Sequence, residues 1–242
     1  MMRILITNDD GISSPALPRL AAWAKKLGEV TVCAPKKEQS GKSQAIDFRN
    51  PMEIVKVTLE GGIEAWSVDS TPADCVRFGV TGLKSDYDLV ISGINRGYNL
   101  GDDIAYSGTV GAIFEAARLG IKAMALSTGI SGFDSAFDCL DAVYSFIEDN
   151  KLFDHAELLN VNFPTESTRN ISITRQGEMF YSDDFAICED GRYIQVGEPI
   201  EHDSDDISLD MVAVRKRYIS ISPLTSVKTD LAAFEKLKAL GR

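Results

Sequence analysis

Two adjacent carboxylates, Asp9 and Asp10, follow the short apolar run "RILIT" and precede Gly11. Neighbouring like charges repel each other, and burying them costs free energy unless a partner neutralises them. A hard divalent cation held by oxygen atoms is such a partner. A simpler interpretation makes one acid a helix N-cap and leaves the other in water. The pair therefore allows two interpretations, a metal site or a helix cap, and the other residues near it in the fold decide between them.

Two further polar residues are predicted at the carboxyl ends of strands. Ser40, in "QSGKS", lies in the polar loop after the second predicted strand, and Asn95, in "SGIN", follows the strand "YDLVIS". Ligands of open α/β sheets bind beyond the carboxyl ends of the strands. Carboxylate, hydroxyl and amide oxygens suit magnesium or manganese. We therefore favour a metal site formed by Asp9, Asp10, Ser40 and Asn95.

The segment "YSGTVGAIFEA" predicts an anion-binding helix start. Free amides and the positive dipole end favour a phosphate there, Gly108 permits close approach of the backbone, and the hydroxyls of Ser107 and Thr109 can donate to its oxygens. Ordinary helix capping is the alternative. Asn99 lies on the loop just before, and Asp102 and Asp103 fit equally as supporting acids or as a helix-start pair.

Two other sequence features give no support for a further catalytic or phosphate-binding site. The segment "SGKS" resembles the end of a phosphate-binding P-loop, but Lys36 stands where that motif requires glycine. His155 and His202 are the only histidines and lie far from the motifs above in sequence. This placement argues against a histidine nucleophile and favours surface or structural roles for both.

Alternating strands and helices up to about residue 164 predict an α/β fold with a mostly parallel sheet covered by helices on both faces. Residues 15–27 are predicted as a helix ended by Gly28, and Thr71 as the N-cap of a later helix. After Arg169, short segments such as "YIQV" and "YISIS" predict an antiparallel β-hairpin extension, followed by a closing helix. We place the core at residues 1–168 and the extension at 169–242.

Composition excludes several functional classes. The net charge of the 242 residues is −11, and eleven acidic residues with one arginine lie within 178–210. No basic stripe for a polynucleotide is present. No apolar run of the length needed to span a membrane occurs, and no signal peptide is recognisable. The four cysteines are scattered without a Cys-x-x-Cys pair. We expect a cytoplasmic protein with reduced thiols.

Several motifs together resemble one known family. The segments "ILITNDDG", "APKKEQSGKS", "SGINRGYNLGDDIAYSGTVGA", "LLNVNFP" and "YISISPL" are similar, in this order, to those of the SurE survival-protein family of metal-dependent nucleotidases. The resemblance implies a Rossmann-like domain with a protruding C-terminal hairpin used in oligomers. It assigns one divalent metal ion per subunit, magnesium or manganese, to Asp9, Asp10, Ser40 and Asn95. It assigns substrate phosphate to Asn99, Ser107, Gly108 and Thr109.

The implied activity is hydrolysis of nucleoside 5′- or 3′-monophosphates, with polyphosphate as a further substrate of some members. We expect Asp9 to orient or deprotonate the attacking water, assisted at the phosphate by Asn99, Ser107 and Thr109. A homodimer or homotetramer is expected, with residues 176–215 at the interface. Ser70 departs from the glycine that is usual in the family.

Three alternatives remain open at this stage. An enzyme with the same carboxylates could use Asp9 as a nucleophile and form an aspartyl-phosphate. A receiver-type signalling module also carries paired acids that bind magnesium, although it is about half this length. A nucleotide-binding regulator would bind the same ligand without hydrolysing it. Steady turnover of phosphomonoesters separates the enzyme from the last two alternatives.

Overall fold

The computed structural model describes residues 1–200 and 202–240. The strands are β1 (Met2–Thr7), β2 (Gly28–Pro35), β3 (Ile54–Leu59), β4 (Ile63–Val68), β5 (Leu89–Arg96), β6 (Lys122–Thr128), β7 (Leu158–Phe163), β8 (Ile171–Ile173), β9 (Asp184–Ile187), β10 (Tyr193–Val196) and β11 (Ile219–Leu224). The helices are α1 (Ala16–Ala24), α2 (Pro72–Arg77), α3 (Gly108–Arg118), α4 (Phe133–Asp149), α5 (Asp210–Arg215) and α6 (Leu231–Leu240).

Nine strands form one sheet in the order β3-β4-β2-β1-β5-β6-β7-β11-β8. The pairs from β4 through β7 are all parallel, whereas β3 pairs antiparallel with β4 and β11 antiparallel with β7. The mostly parallel α/β fold predicted from the sequence is confirmed. The sequence interpretation did not include β3 and β4, which widen the sheet beyond β2.

Helices cover both faces of the sheet, as predicted. On one face, Ile4 and Ile6 of β1 belong to a buried apolar cluster that includes residues of α1 and α4. On the other face, Leu5 belongs to a second cluster with residues of α2 and α3. Consecutive strand residues point to opposite faces. Because each face is covered, the apolar run of β1 is continuous rather than alternating.

Of two predicted helix-end residues, Thr71 has the predicted role and Gly28 does not. Thr71 caps α2 as predicted, its hydroxyl accepting a hydrogen bond of 3.2 Å from the backbone N–H of Asp74. The prediction that Gly28 ends the first helix is wrong, because α1 ends at Ala24 and Gly28 begins β2. A Cβ atom at Gly28 would lie 2.0 Å from the carbonyl oxygen of Met2. Close approach of β1 therefore requires glycine there.

The chain after residue 168 divides between two sheets. β9 and β10 form the predicted antiparallel hairpin, which among the described residues pairs with no strand of the main sheet. The prediction that "YISIS" also belongs to this extension is wrong. β11 lies between β7 and β8 in the main sheet, and its residues 219–222 are all buried. The predicted boundary at residue 168 thus falls between strands of one continuous sheet.

Among the described residues, no helix has both the length and the apolar character required to cross a membrane.

Candidate active site

The predicted metal ligands lie on three neighbouring segments at one edge of the sheet. Asp9 and Asp10 directly follow β1, Ser40 lies in the loop after β2, and Asn95 is the penultimate residue of β5. β1 lies between β2 and β5, and it pairs in parallel with both of them. Because parallel strands end at the same edge, the three segments meet there. The structure therefore brings the four residues to one region, as the sequence predicts.

A side-chain clamp shapes the turn that carries the two acids. Asn8, which is fully buried, donates from Nδ2 to the carbonyl oxygen of Gly11 at 3.0 Å and accepts from the Gly11 N–H at 3.2 Å. Gly11 has a φ of +91°, a backbone conformation that favours glycine. Sequence reasoning missed this role of Asn8, although asparagine side chains commonly bond to nearby backbone groups in turns.

Asp9 is held between the loop after β2 and the first turn of α3. Its Oδ1 accepts a hydrogen bond of 2.5 Å from the hydroxyl of Thr109, and its backbone carbonyl accepts from the Gln39 N–H at 2.7 Å. Burial raises the pKa of the Asp9 carboxyl, hydrogen bonds from Thr109 oppose that effect, and the charge of Glu38 adds to it. The Oδ2 atom of Asp9 remains for another partner.

Asp10 is partly buried beside Asp9. Its Oδ2 accepts a hydrogen bond of 3.3 Å from the backbone N–H of Arg96, the residue after Asn95. Burial, followed by the charge of Asp9, raises the pKa of the Asp10 carboxyl to about 6, although the Arg96 N–H lowers it. Two carboxylates with raised pKa values side by side form a site in which a cation would be stabilised.

The donor groups of the two neutral candidate ligands are already engaged. The Ser40 hydroxyl donates to Glu38 at 2.8 Å, and Nδ2 of Asn95 donates to the carbonyl oxygen of Gly97 at 2.9 Å. These bonds leave oxygen lone pairs on Ser40 and Oδ1 on Asn95 as acceptors. With the free oxygens of the acids, they form an all-oxygen donor set that fits a hard divalent cation. Within residues 1–200 and 202–240, no cluster of three or more His, Cys, Asp or Glu could hold a metal.

The start of α3 combines helix capping with contact to Asp9. The Ser107 hydroxyl oxygen accepts from the Val110 N–H at 3.1 Å, so the capping alternative applies, while the hydroxyl hydrogen remains free to donate. A Cβ atom at Gly108 would lie 2.9 Å from Cβ of Asp9, which explains the need for glycine. The expectation that the Thr109 hydroxyl faces a phosphate is not what the geometry shows, because that hydroxyl donates to Asp9.

Asn99 lies on the loop after β5 and bonds to the ends of β6 and β7. Its Nδ2 donates to the Ser127 hydroxyl at 2.7 Å, and its backbone N–H donates to Oδ1 of Asn162 at 2.9 Å. The residue is 7% exposed. Its hydrogen bonds therefore link it to the neighbouring strands rather than directly to the carboxylate pair.

The loop that carries Ser40 is fastened by Ser43 and Gln44 to the segment before α3 and to α3 itself. The Ser43 hydroxyl donates to the carbonyl oxygen of Ala105 at 2.7 Å, and Gln44 donates to the carboxylate of Glu115 at 3.0 Å. The same carboxylate forms ion pairs with Arg77 at 3.0 Å and Arg118 at 2.6 Å. Glu115 thus joins the loop, α2 and α3, a role that the sequence interpretation missed.

Two other predicted residues join the core to the extension. Asp102 and Asp103 lie in the first turn of the 3₁₀ helix Gly101–Ala105, as the helix-start alternative expected. Asp102 accepts from Gln176 at 2.8 Å, and Asp103 from the Tyr181 N–H at 3.1 Å. His202 lies in the same extension, where its Nε2 is 2.8 Å from the carbonyl oxygen of Met179.

Comparisons with known proteins agree with this architecture. The family model described as "Survival protein SurE" matches residues 4–183. A relative from Pelotomaculum thermopropionicum, named 5′-nucleotidase SurE, is 38% identical. The alignment covers 99% of this chain and 95% of the length of that relative. A relative of the same name from Citrifermentans bemidjiense is 39% identical, with 98% coverage of each chain.

A solved structure extends the similarity to the fold. The crystal structure of the SurE protein from Aquifex aeolicus superposes with a TM-score of 0.79 at 32% identity. The superposition covers 99% of this chain and 100% of the Aquifex aeolicus chain. The matched residues 4–183 include the carboxylate pair, the loop after β2, the end of β5 and the start of α3. The chain therefore belongs to the SurE survival-protein family.

Proposed function

We propose that this chain is a divalent-metal-dependent nucleotidase that hydrolyses nucleoside 5′- or 3′-monophosphates to nucleoside and phosphate. The observation that carries the proposal is the meeting of Asp9 and Asp10 with the start of α3, joined by the bond from Thr109 to Asp9. An oxygen-rich cation site beside a helix N-terminus is suited to a phosphate dianion. The names of the relatives support a nucleotide as the source of that phosphate.

The proposed metal ligands are Asp9, Asp10, Ser40 and Asn95, which would hold one magnesium or manganese ion in each subunit. A divalent cation bound there would polarise a phosphoryl oxygen and make a water molecule easier to deprotonate. The support is the donor set itself, because the engaged hydroxyl of Ser40 and Nδ2 of Asn95 leave only oxygen acceptors available.

Asp9 is the proposed general base. The Thr109 hydroxyl orients the Asp9 carboxylate through Oδ1, and this carboxylate would accept the proton of the attacking water. The water oxygen forms a bond to phosphorus and the ester P–O bond breaks. The nucleoside oxygen leaves with a proton from solvent, to which Asp9 then releases the proton that it accepted. In the rival step, the same Asp9 carboxylate attacks phosphorus, and the aspartyl-phosphate is then hydrolysed.

The phosphate would be held by the start of α3 and by Asn99. Ser107 keeps a hydroxyl hydrogen free after it caps the helix, and Gly108 allows the backbone to approach closely. Asn99 retains Oδ1 and one N–H of its amide after bonding Ser127. Fixed donors of this kind stabilise the charge that develops on phosphoryl oxygens.

Phosphate release from a panel of substrates tests the proposed activity. The panel comprises nucleoside 5′- and 3′-monophosphates and polyphosphate, each with magnesium and then with manganese. We expect steady turnover of at least one nucleoside monophosphate, and none after chelation of the metal. Nucleotide that binds but stays intact would instead favour a regulator, and a single phosphoryl transfer without turnover would favour a receiver-type module.

Assembly is the remaining part of the proposal. The eight residues of the hairpin strands β9 and β10 are all exposed, and apolar Phe185, Ile187 and Ile194 are among them. Exposed apolar hairpins readily pair with another chain. We propose a homodimer or homotetramer with residues 176–215 at the interface.

A further inference from the structure

Strand β7 carries two asparagines in a position where an α/β sheet normally carries apolar residues. Asn160 and Asn162, in the segment "LLNVNFP", point to the same face of the sheet, and both are fully buried. Burying an amide costs free energy unless it forms hydrogen bonds. Their bonding partners therefore identify what these two side chains do.

Both side chains bind the backbone of a single loop residue, Asn99. Oδ1 of Asn162 accepts from the Asn99 N–H at 2.9 Å, and Nδ2 of Asn162 donates to the Asn99 carbonyl oxygen at 2.9 Å. Nδ2 of Asn160 donates to the same carbonyl oxygen at 2.8 Å. The Asn99 side chain itself donates to the Ser127 hydroxyl at 2.7 Å. Three strand side chains thus fix both the backbone and the amide of one residue.

We propose that Asn160 and Asn162 are positioning residues that hold Asn99 in the geometry needed to contact the substrate phosphate. The inference rests on the proposed function, because it deepens the role given there to Asn99. A loop residue usually has a mobile backbone. The two-point clamp of Asn162 fixes the peptide groups on both sides of Asn99, so its amide is oriented before the substrate arrives.

The bonding pattern favours positioning over simple satisfaction of buried polar groups. Oδ1 of Asn160 is buried and has no hydrogen-bond partner among the described residues. Asn160 therefore leaves one of its own polar atoms unpaired while its Nδ2 bonds to Asn99. An apolar residue at this position would avoid that cost but would lose the bond to the loop.

The chain offers a matched control on the same sheet. Ser222 of β11 pairs in register with Asn160, is 1% exposed, and has its hydroxyl oxygen 2.7 Å from that of Thr174. Its bonding differs from that of the asparagines because it does not involve Asn99. Ser222→Ala should therefore disturb buried polar packing without loosening the loop.

The first measurements compare Asn162→Ala and Ser222→Ala in the full-length, manganese-loaded protein. For Asn162→Ala, we expect about a tenfold weaker Kd for inorganic phosphate by calorimetry, a similar fall in kcat/KM for a nucleoside monophosphate, and faster hydrogen exchange at the Asn99 amide. Manganese affinity should stay within about twofold, because the proposed metal ligands are elsewhere. Ser222→Ala should leave phosphate affinity and kcat/KM at wild-type values.

A double-mutant cycle decides whether Asn162 acts through Asn99. If it does, Asn99→Ala combined with Asn162→Ala should lose no more phosphate affinity than Asn99→Ala alone. Additive losses, or equal behaviour of Asn162→Ala and Ser222→Ala, would overturn the inference. Asn160→Ala, which removes only one bond, gives the same comparison if Asn162→Ala does not fold. Absence of nucleotide turnover in the wild-type protein would instead contradict the proposed function. The phosphate affinities of the wild-type and Asn162→Ala proteins would still show whether Asn162 positions Asn99.

Discussion

The hydroxyl of Thr109 donates a hydrogen bond of 2.5 Å to Oδ1 of Asp9, across 100 residues of sequence. Both side chains are buried, with Thr109 fully so. A hydrogen bond from a fixed hydroxyl favours the ionised form of a carboxylate and limits its rotation. The first turn of α3 therefore orients the carboxylate that we propose as the general base.

Replacing Thr109 by valine keeps the side-chain shape and removes this bond. We expect kcat to fall about tenfold or more, because hydrogen bonds to charged groups contribute about 1.5–3 kcal/mol. Thr109→Ser should retain most of the rate. The Kd for inorganic phosphate should change little in both variants, because the hydroxyl serves Asp9. Weaker phosphate binding at an unchanged kcat would contradict this prediction and would indicate that the Thr109 hydroxyl contacts phosphate instead.

Asp10 and Asp9 should respond differently to neutral substitutions. Asp10→Asn removes one ligand charge, so manganese affinity and activity should fall together, and excess manganese should restore part of the rate. Asp9→Asn also removes the proposed proton acceptor, so added metal should not restore it. Asp102→Asn, which alters an acid bonded to Gln176, is the control. Equal rescue of the Asp9 and Asp10 variants would contradict a proton-accepting role for Asp9.

Glu115 should make protein stability depend on pH. Burial raises its pKa, but the hydrogen bonds from Arg118, Gln44 and Arg77 and the charge of Arg118 together outweigh that effect, so the pKa lies below its ordinary value of 4.5. A lowered folded-state pKa means that the ionised carboxylate stabilises the fold above the ordinary value and that this contribution is lost as pH falls through the folded-state pKa.

Glu115→Gln should therefore lower the free energy of unfolding by about 2–4 kcal/mol at pH 7. The difference from the wild-type protein should shrink as the pH falls below 4.5, the ordinary value for this carboxyl. Urea unfolding at several pH values measures both quantities, with Glu64→Gln, an exposed ion-pair partner of Lys56, as the control. A difference that stays constant with pH would rule out the ion-pair explanation.

The hairpin should govern assembly. Phe185 and Ile187 point to one face of β9 and are 63% and 67% exposed. Changing both to glutamate should shift the mass measured by light scattering from an oligomer toward a monomer. Val55→Glu, at an exposed apolar position of β3, should leave the mass unchanged. A wild-type protein that is monomeric at micromolar concentration would contradict the proposal.

Much of the site follows from local sequence patterns. The apolar strand before Asp9, the turn at Gly11 and the capping residue Ser107 are all signals within a few residues of the side chains concerned. Because parallel strands end at one edge, these signals also predict that the segments meet. The mostly parallel sheet and its helices on both faces follow from the same alternation of elements.

The remaining features depend on contacts between distant segments. The Thr109 hydroxyl could face a phosphate or a protein carboxylate, and only the packing of α3 against Asp9 decides between them. Gly28 resembles a helix terminator in sequence, but it is required by the backbone of Met2. The insertion of β11 between β7 and β8 likewise depends on pairing between segments more than 40 residues apart, which local alternation does not encode.

Removal and return of the metal tests the central claim that Asp9 and Asp10 hold a divalent cation for phosphate-ester hydrolysis. The full chain is stripped with a chelator, its metal content is checked by elemental analysis, and hydrolysis of a nucleoside monophosphate is assayed before and after addition of magnesium or manganese. We predict negligible turnover in the stripped protein and recovery with one equivalent of bound metal per subunit. Full activity in the metal-free protein would contradict the account.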